Sequence, residues 1–555
     1  MKRGKLKLAI GALTFMVCLF VATGVYAAGN NISDAAVTLS GTSYTYDGNY
    51  KKPGVKVVTS DTGTVLQPGV DYTVSYSNNK NAGTGTVTIT AKEPYTGQIT
   101  KNFVINPRDI NSSKVKVSVS NVVVNKSFSR RVTFNGKRIY SGKSYTVIDS
   151  DVSSVGYKKG YITIQGIGNF EGIKTVRFTV HPRKVNGVKN VYRDTTSVKL
   201  AWNSQKADGV TGYKVYLTDK NGDNRKLYAR VKTNECAFVD LDPGEYKYVQ
   251  IRSYKKDGKK YVNGDYTKVI TTCARPKKAI TSGVTNLKKK TAVRVYVKKQ
   301  LCDGYEIQYS TTKDFSKGVK TLTKKSGYKS YKIELNGKKK YYFRTRAYNQ
   351  YNNGRTKIYG SWSSWASNRY DHVYSSYTTY YSSSDYNRCQ NLKVACRYIN
   401  GTVLLPGESF DFNEVVGPRT KKKGFREAGI FKNGGHGTAV GGGICQVSTT
   451  MFNAALVGNM KIDKRYQHSQ RVGYIPAGRD AAMYKKKKNL KFTNNTNYII
   501  IIKASASGGR LRCRLVTCNS AKPKKVKIKV TKSKGKYTLR RYVDGKCNYK
   551  TTSKY

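Results

Sequence analysis

Residues 441–446 read Gly-Gly-Gly-Ile-Cys-Gln and open a stretch of helix-forming character that runs to Gly458. A thiol in the first turn of a helix lies beside the positive end of the helix dipole and beside N–H groups that have no intrahelical partner. Both lower its pKa, and the N–H groups can cradle an oxyanion. Cys445 is therefore the candidate nucleophile. Glycines at 441–443 let a substrate backbone come close, and Gly442, Gly443 and the backbone N–H near Gln446 are the expected oxyanion donors. Further along, RYQHSQRVGYIPAGRDAAMY (465–484) offers His468 in an alternating, strand-like setting, with Asp480 beyond a Pro/Gly turn. A thiol on a helix and an imidazole on a strand is the layout by which papain-type cysteine enzymes activate sulfur. His436, in the glycine-flanked GGHG loop (434–437), is a rival base, whereas His181 and His372 fall at module joints. No histidine stands at zinc spacing, so neither a metal nor an organic cofactor is expected.

A competing account of Cys445 is structural. Beyond the N-terminal segment the chain has nine cysteines, an odd number, so at least one has no partner within the chain. Disulfides are a common fate of cysteines in exported proteins. On that account the protein is a non-catalytic wall-binding or adhesive protein.

The elements that must hold these residues are short. DYNRCQNLKVACRYING (385–401) predicts a helix stopped by Asn400–Gly401. PGESFDFN (406–413) predicts a Pro/Gly turn entering a strand, and GGGICQVSTTMFNAALVGN (441–459) predicts a loop followed by a helix of about three turns.

Together these stretches resemble the VanW domain, a family named from vancomycin-resistance clusters. The resemblance covers residues 375–517 and rests on NR..NL..A, ING..L.PGE.F.FN..VG.RT, GGGICQVSTT, HS..V.Y.P-GRDA and the NLKF close. It implies an α+β domain and, for some members, a cysteine L,D-transpeptidase role on peptidoglycan. Position by position the family's thiol falls on Cys445, its His-Ser pair on His468–Ser469 and its Arg-Thr pair on Arg419–Thr420. Ala482 stands where many members have threonine. On this reading Cys445 and His468 are catalytic, and Arg419, Gly442, Gly443, Gln446, Ser469 and Asp480 bind substrate. Arg419 would grip a stem carboxylate bidentately. Hydrolysis of the same thioester is the nearest enzymatic variant.

The rest of the chain reads as four β-sandwich modules, giving a multidomain, mainly β protein. Two copies of one pattern occupy 34–107 and 108–182, pairing PGVDYTV with SGKSYTV and NFVI with RFTV, and resemble bacterial Ig-like repeats. A second pair, 183–275 and 276–369, matches GYKVYLT to GYEIQYS and resembles fibronectin type III domains, with Trp202 as the expected core tryptophan and Tyr296 near that position in the second copy. Residues 518–555 are set apart as a basic C-terminal segment in which VKIKV permits a strand.

The first 27 residues have the basic start, apolar run and Val-Tyr-Ala close of a signal peptide. Left uncleaved, this segment would be the chain's only membrane contact. Lys and Arg number 102 against 32 Asp and Glu, a net charge of +70. Charge of this kind raises nucleic acid as a partner, but with export the expected partners are peptidoglycan and anionic wall polymers, not nucleic acid. The expected location is extracellular, at the cell wall or surface.

Overall fold

Alternation of apolar and polar residues dictates most of the architecture. In the computed structural model, which describes residues 31–555 except 288–290, 353, 433–434 and 486, strand Gly83–Ala91 buries Val87 and Ile89 while its intervening threonines stay accessible. The expected signal peptide lies outside the described residues. Two compact units divide the chain: residues up to 185 with 204–213 and 252–266 form one, and 186–203, 214–251 and 267–555 form the other.

The first unit carries the Ig-like pair. One sheet pairs Ala36–Leu39, Val55–Val58 and Val65–Leu66; its companion runs in the order Ser43–Thr45, Gln98–Asn106, Gly83–Ala91 and Tyr72–Ser77. The following copy repeats the plan with Tyr145–Asp151, Gly156–Gly166 and Ile173–Val180 in one sheet. Sequence-equivalent residues occupy equivalent core positions: Tyr72 and Tyr145, Ile89 and Ile164, Phe103 and Phe178 are all buried.

Strands of the 183–275 region are shared between the units. In the second unit, Lys189–Arg193, Val198–Ala201 and Glu235–Phe238 pair, and Trp202 follows them, buried. The next module sets Thr281–Asn286, Ala292–Val297 and Ser330–Glu334 in one sheet and centres another on Gly304–Ser310 and Tyr342–Tyr351. Its core holds Val293, Val295, Tyr305 and Phe343, while Tyr296 is only half-buried. Trp362 has Arg344 at 4.8 Å and Arg346 at 4.5 Å from its ring, so its own module's cations occupy it.

The C-terminal domain is α+β. An antiparallel sheet in the order His372–Tyr380, Arg510–Thr517, Ile500–Ser507, Val403–Leu404 carries two helices, α1 (Tyr386–Ile399) and α3 (Ile444–Val457). Asp385 caps α1 by accepting the Arg388 N–H at 2.9 Å, and Gly401, with φ of 94°, follows its end. The PGESFDFN stretch forms strand Ser409–Asp411 as expected, but Phe412 begins a short helix, α2 (Phe412–Val416), because Asp411 accepts the N–H groups of Asn413 and Glu414. Ile500, Ile502, Leu511 and Leu515 of the sheet meet Leu392, Val447 and Phe452 of the helices in one core.

Candidate active site

Helix α3 is buried on nearly every side, which explains its polar residues. Ser448 and Thr449 have no accessible surface, so their hydroxyls must find partners. Ser448 Oγ donates to the Ala481 carbonyl at 2.6 Å, and the Ala481 N–H donates to Thr449 Oγ1 at 2.9 Å. One turn on, Asn453 exchanges hydrogen bonds with Arg479, accepting from Nε and donating to the carbonyl, both at 2.8 Å. The STT..N run of the helix thus seizes the backbone of Arg479–Ala481 and lays it along α3. Asn391 of α1 does the same for the glycine loop, donating to the Arg426 and Gly442 carbonyls at 2.8 and 2.9 Å.

This clamp sets three side chains in line. His468 Nδ1 meets Asp480 Oδ2 at 2.6 Å, and the His468 backbone N–H donates to the same oxygen at 2.7 Å. With Nδ1 engaged by Asp480, Nε2 is the ring nitrogen left for the Cys445 sulfur, and the imidazole and the thiol act on one another electrostatically. Asp480 Oδ1 accepts from Arg465 Nη2 at 2.6 Å and from the Tyr555 hydroxyl. Met483 N–H donates to Cys445 Sγ at 3.3 Å.

The electrostatics follow. Burial pushes the Cys445 thiol up, but the His468 hydrogen bond and charge, the Met483 N–H and Arg419 outweigh it, and the net shift is downward. Burial pulls His468 down, but Asp480 and the sulfur more than reverse this and lift the imidazole to about 9. Asp480 is buried too, yet His468, Arg465 and Tyr555 bring its carboxyl to about 2. These shifts all favour the same charge arrangement, a thiolate beside an imidazolium backed by a carboxylate. Cys445 is half-buried, and all nine described cysteines are free thiols.

Several expected roles change in the folded chain. Asp480 does not face substrate: it is fully buried and its two oxygens are taken by His468, Arg465 and Tyr555, so it orients the imidazole. His468 sits in an irregular segment after strand Lys461–Lys464, not on a strand. Gln446 is buried; its amide donates to Thr379 Oγ1 and the Tyr380 carbonyl and accepts from Arg388. Its backbone N–H is spent on the Gly443 carbonyl at 2.9 Å, so it is no oxyanion donor. Gly442 is glycine for packing, since a Cβ there would stand 2.2 Å from the Ala428 carbonyl oxygen. Gly443 adopts φ of 94° as the α3 N-cap, and a Cβ would meet Arg388.

Arg419 is placed within electrostatic reach of Cys445, but its Nη2 donates to Asn413 at 2.7 Å and its Nε is buried without a partner. That edge is closed to a bidentate carboxylate. Ser469 is exposed beside His468. His436 lies on strand Gly435–Val440, not in a loop, exposed with its ring 5.4 Å from that of Phe431. Besides Tyr555, two residues escaped the sequence reading. Tyr474 has a buried hydroxyl, and burial first, then the Cys445 charge, holds it far above the ordinary phenol range and protonated. Arg465 is the Asp480 counter-ion; both side chains are almost wholly buried.

Residues 387–516 match the family model described as VanW like protein. Over 135 residues the chain is 42% identical to the uncharacterized protein YoaR of Bacillus subtilis (strain 168), covering 24% of this chain and 45% of that one. Over 82 residues it is 34% identical to the vancomycin B-type resistance protein VanW of Enterococcus faecalis (strain ATCC 700802 / V583), covering 15% and 30%. The chain spans less than half the length of these curated relatives. Among solved structures, a two-domain fibronectin type III segment of chicken tenascin aligns with a TM-score of 0.23 and 13% identity, over 33% of this chain and 97% of that one. The C-terminal domain is a VanW-like domain, and Cys445, His468 and Asp480 all fall within the matched residues.

Proposed function

We propose that the VanW-like domain is a cysteine acyltransferase acting on peptidoglycan stem peptides, with L,D-transpeptidation as its reaction. The observation that carries this reading is the Cys445–His468–Asp480 line, with the sulfur in the first turn of a buried helix and its pKa lowered. The Cys445 thiolate attacks the carbonyl carbon of an L-centre in the stem. The C–N bond to the terminal D-residue breaks as His468 Nε2 gives its proton to the leaving amine, and a thioester remains. An amine of a neighbouring stem then loses a proton to His468 and attacks the thioester, forming the new amide and returning the thiolate. Asp480 keeps the imidazole in the tautomer and orientation that both steps need. Water in place of the amine gives a carboxypeptidase or endopeptidase.

A cell-wall setting is supported by the signal-peptide pattern, by the β modules that precede the domain and by a net charge of +70 suited to anionic wall polymers. The name of the Enterococcus faecalis relative, a vancomycin resistance protein, agrees with it. The alternative of a structural Cys445 draws no support from the site, where the sulfur is a free thiol facing an imidazole. The test is incubation of tetrapeptide muropeptides with wild type and Cys445→Ala. Cross-linked dimers or shortened stems from wild type alone are expected. A folded wild-type protein that yields no Cys445-dependent product refutes the reading.

A further inference from the structure

The strongly basic stretch after residue 521 forms a three-stranded antiparallel sheet, Val526–Ser533, Lys536–Val543 and Lys546–Lys554. It lies outside the matched residues 387–516, yet it shares the domain's core: Leu539 is fully buried there, with Ile528, Val530 and Tyr549 packed against the same cluster. Arg541, almost wholly buried, donates to the Met460 carbonyl at 2.8 Å, just beyond the end of α3.

The sheet's last strand runs directly behind the reactive line. Arg465 Nη2 bridges Asp480 Oδ1 and Ser553 Oγ, at 2.6 and 2.9 Å, and its Nη1 reaches the Thr552 carbonyl at 3.3 Å. Gln467, the residue before His468, accepts from the Lys554 N–H at 2.9 Å and donates to the Lys554 carbonyl. The Tyr555 hydroxyl donates to Asp480 Oδ1 and accepts from the Gly478 N–H at 2.9 Å. Gly478 itself needs φ of 83°, and a Cβ there would press within 3.2 Å of Tyr537 and 3.3 Å of Val530.

The segment 465–468 has no regular structure to hold it. An irregular backbone carrying a base is orientated only by what it is fastened to. Here Arg465 and Gln467, which lead into His468, are fastened to strand Lys546–Lys554, and the carboxylate that orients the ring is fastened to Tyr555.

We infer that the 526–555 sheet is part of the reactive unit and that Tyr555 is a positioning residue, which fixes Asp480 and through it the His468 ring against Cys445. This rests on Cys445 and His468 being the reacting pair, but not on any particular substrate. Its test therefore reads the thiol itself. In the full chain, iodoacetamide modification of Cys445 is followed by peptide mass spectrometry from pH 4 to 9 for wild type, Tyr555→Phe and Asn548→Ala. Asn548 ties the same sheet to Asn459, just beyond α3, and accepts from Arg541 of the neighbouring strand, with no hydrogen bond to Asp480.

Tyr555→Phe gives the carboxylate slack, so the imidazole loses its alignment with the sulfur. The rising limb of the profile should move up by about half to one pH unit, slowing modification on that limb about three- to tenfold. Asn548→Ala should lower the melting temperature and leave the limb in place. A folded Tyr555→Phe whose profile overlies wild type, or an equal shift in Asn548→Ala, overturns the inference. Should Tyr555→Phe not fold, Gln467→Ala, which breaks a solvent-exposed tie, is expected to shift the limb in the same direction, and an unmoved limb overturns it equally. Absence of wall chemistry in wild type would count against the proposed reaction and leave this result standing.

Discussion

Replacing Asp480 by Asn removes the charge behind His468 while keeping an oxygen for Nδ1. The imidazole is raised from its ordinary 6.5 to about 9, and the Asp480 hydrogen bond is the largest of the upward causes. That rise corresponds to about 3 kcal/mol, shared between the carboxylate and the sulfur. If Asp480 supplies about one unit of it, the thiolate–imidazolium form loses about tenfold in population against the neutral pair. Iodoacetamide modification of Cys445 near pH 6 should then slow by about tenfold, and the rising limb of its pH profile should move up by about one unit. If the proposed acyl transfer is the reaction, it should decline above about pH 9, where the imidazolium proton needed by the leaving amine is lost. Stability carries a second signature. The depressed Asp480 carboxyl, about 2 against an ordinary 3.8, stabilises the fold above the ordinary value by about 2 kcal/mol, and this is lost as pH falls toward 2. The raised His468 stabilises it below 6.5, and this is lost as pH rises through about 9. A folded Asp480→Asn protein with the wild-type modification profile would refute the line of charges as the source of the thiolate.

The two histidines flanking the glycine loop in sequence should separate in function. His468→Ala is expected to raise the Cys445 pKa and abolish most turnover, whereas His436→Ala, exposed on its hairpin against Phe431, should retain it; muropeptide turnover by the two variants decides the matter. Gly442→Ala places a methyl 2.2 Å from the Ala428 oxygen, so chemical denaturation should show a loss of about 1–3 kcal/mol; unchanged stability would show that the loop yields. Sedimentation with isolated walls should fall steeply between low and high salt if the net charge of +70 acts as a diffuse field; salt-insensitive binding would point to a dedicated pocket instead.

What could be read from the chain alone were properties that repeat or resolve over a few residues. Apolar alternation marked the strands of 83–91, and the ING punctuation after 399 marked the end of α1. A glycine run before ICQ marked the start of α3, because φ of 94° at Gly443 is open to glycine and rarely to other residues. The candidate thiol was legible for the same reason: a helix terminus is a local feature, and its field acts on the residue in its first turn. Other assignments depended on separations that no local rule spans. Asp480 was readable as an acid beyond a turn, but its service to His468 depends on Ser448, Thr449 and Asn453 drawing residues 479–481 along α3. The same folding turned Gln446 and Gly442 inward, since a fully buried helix must satisfy its amides internally and admits neighbouring backbone only where a side chain is missing. Tyr555, whose hydroxyl reaches Asp480 across 75 residues of chain, shows the division most plainly. A lysine-rich stretch reads as a solvated face. Only the packing of its sheet on the core, driven by Leu539 and the apolar side chains around it, brings its last residues behind the imidazole.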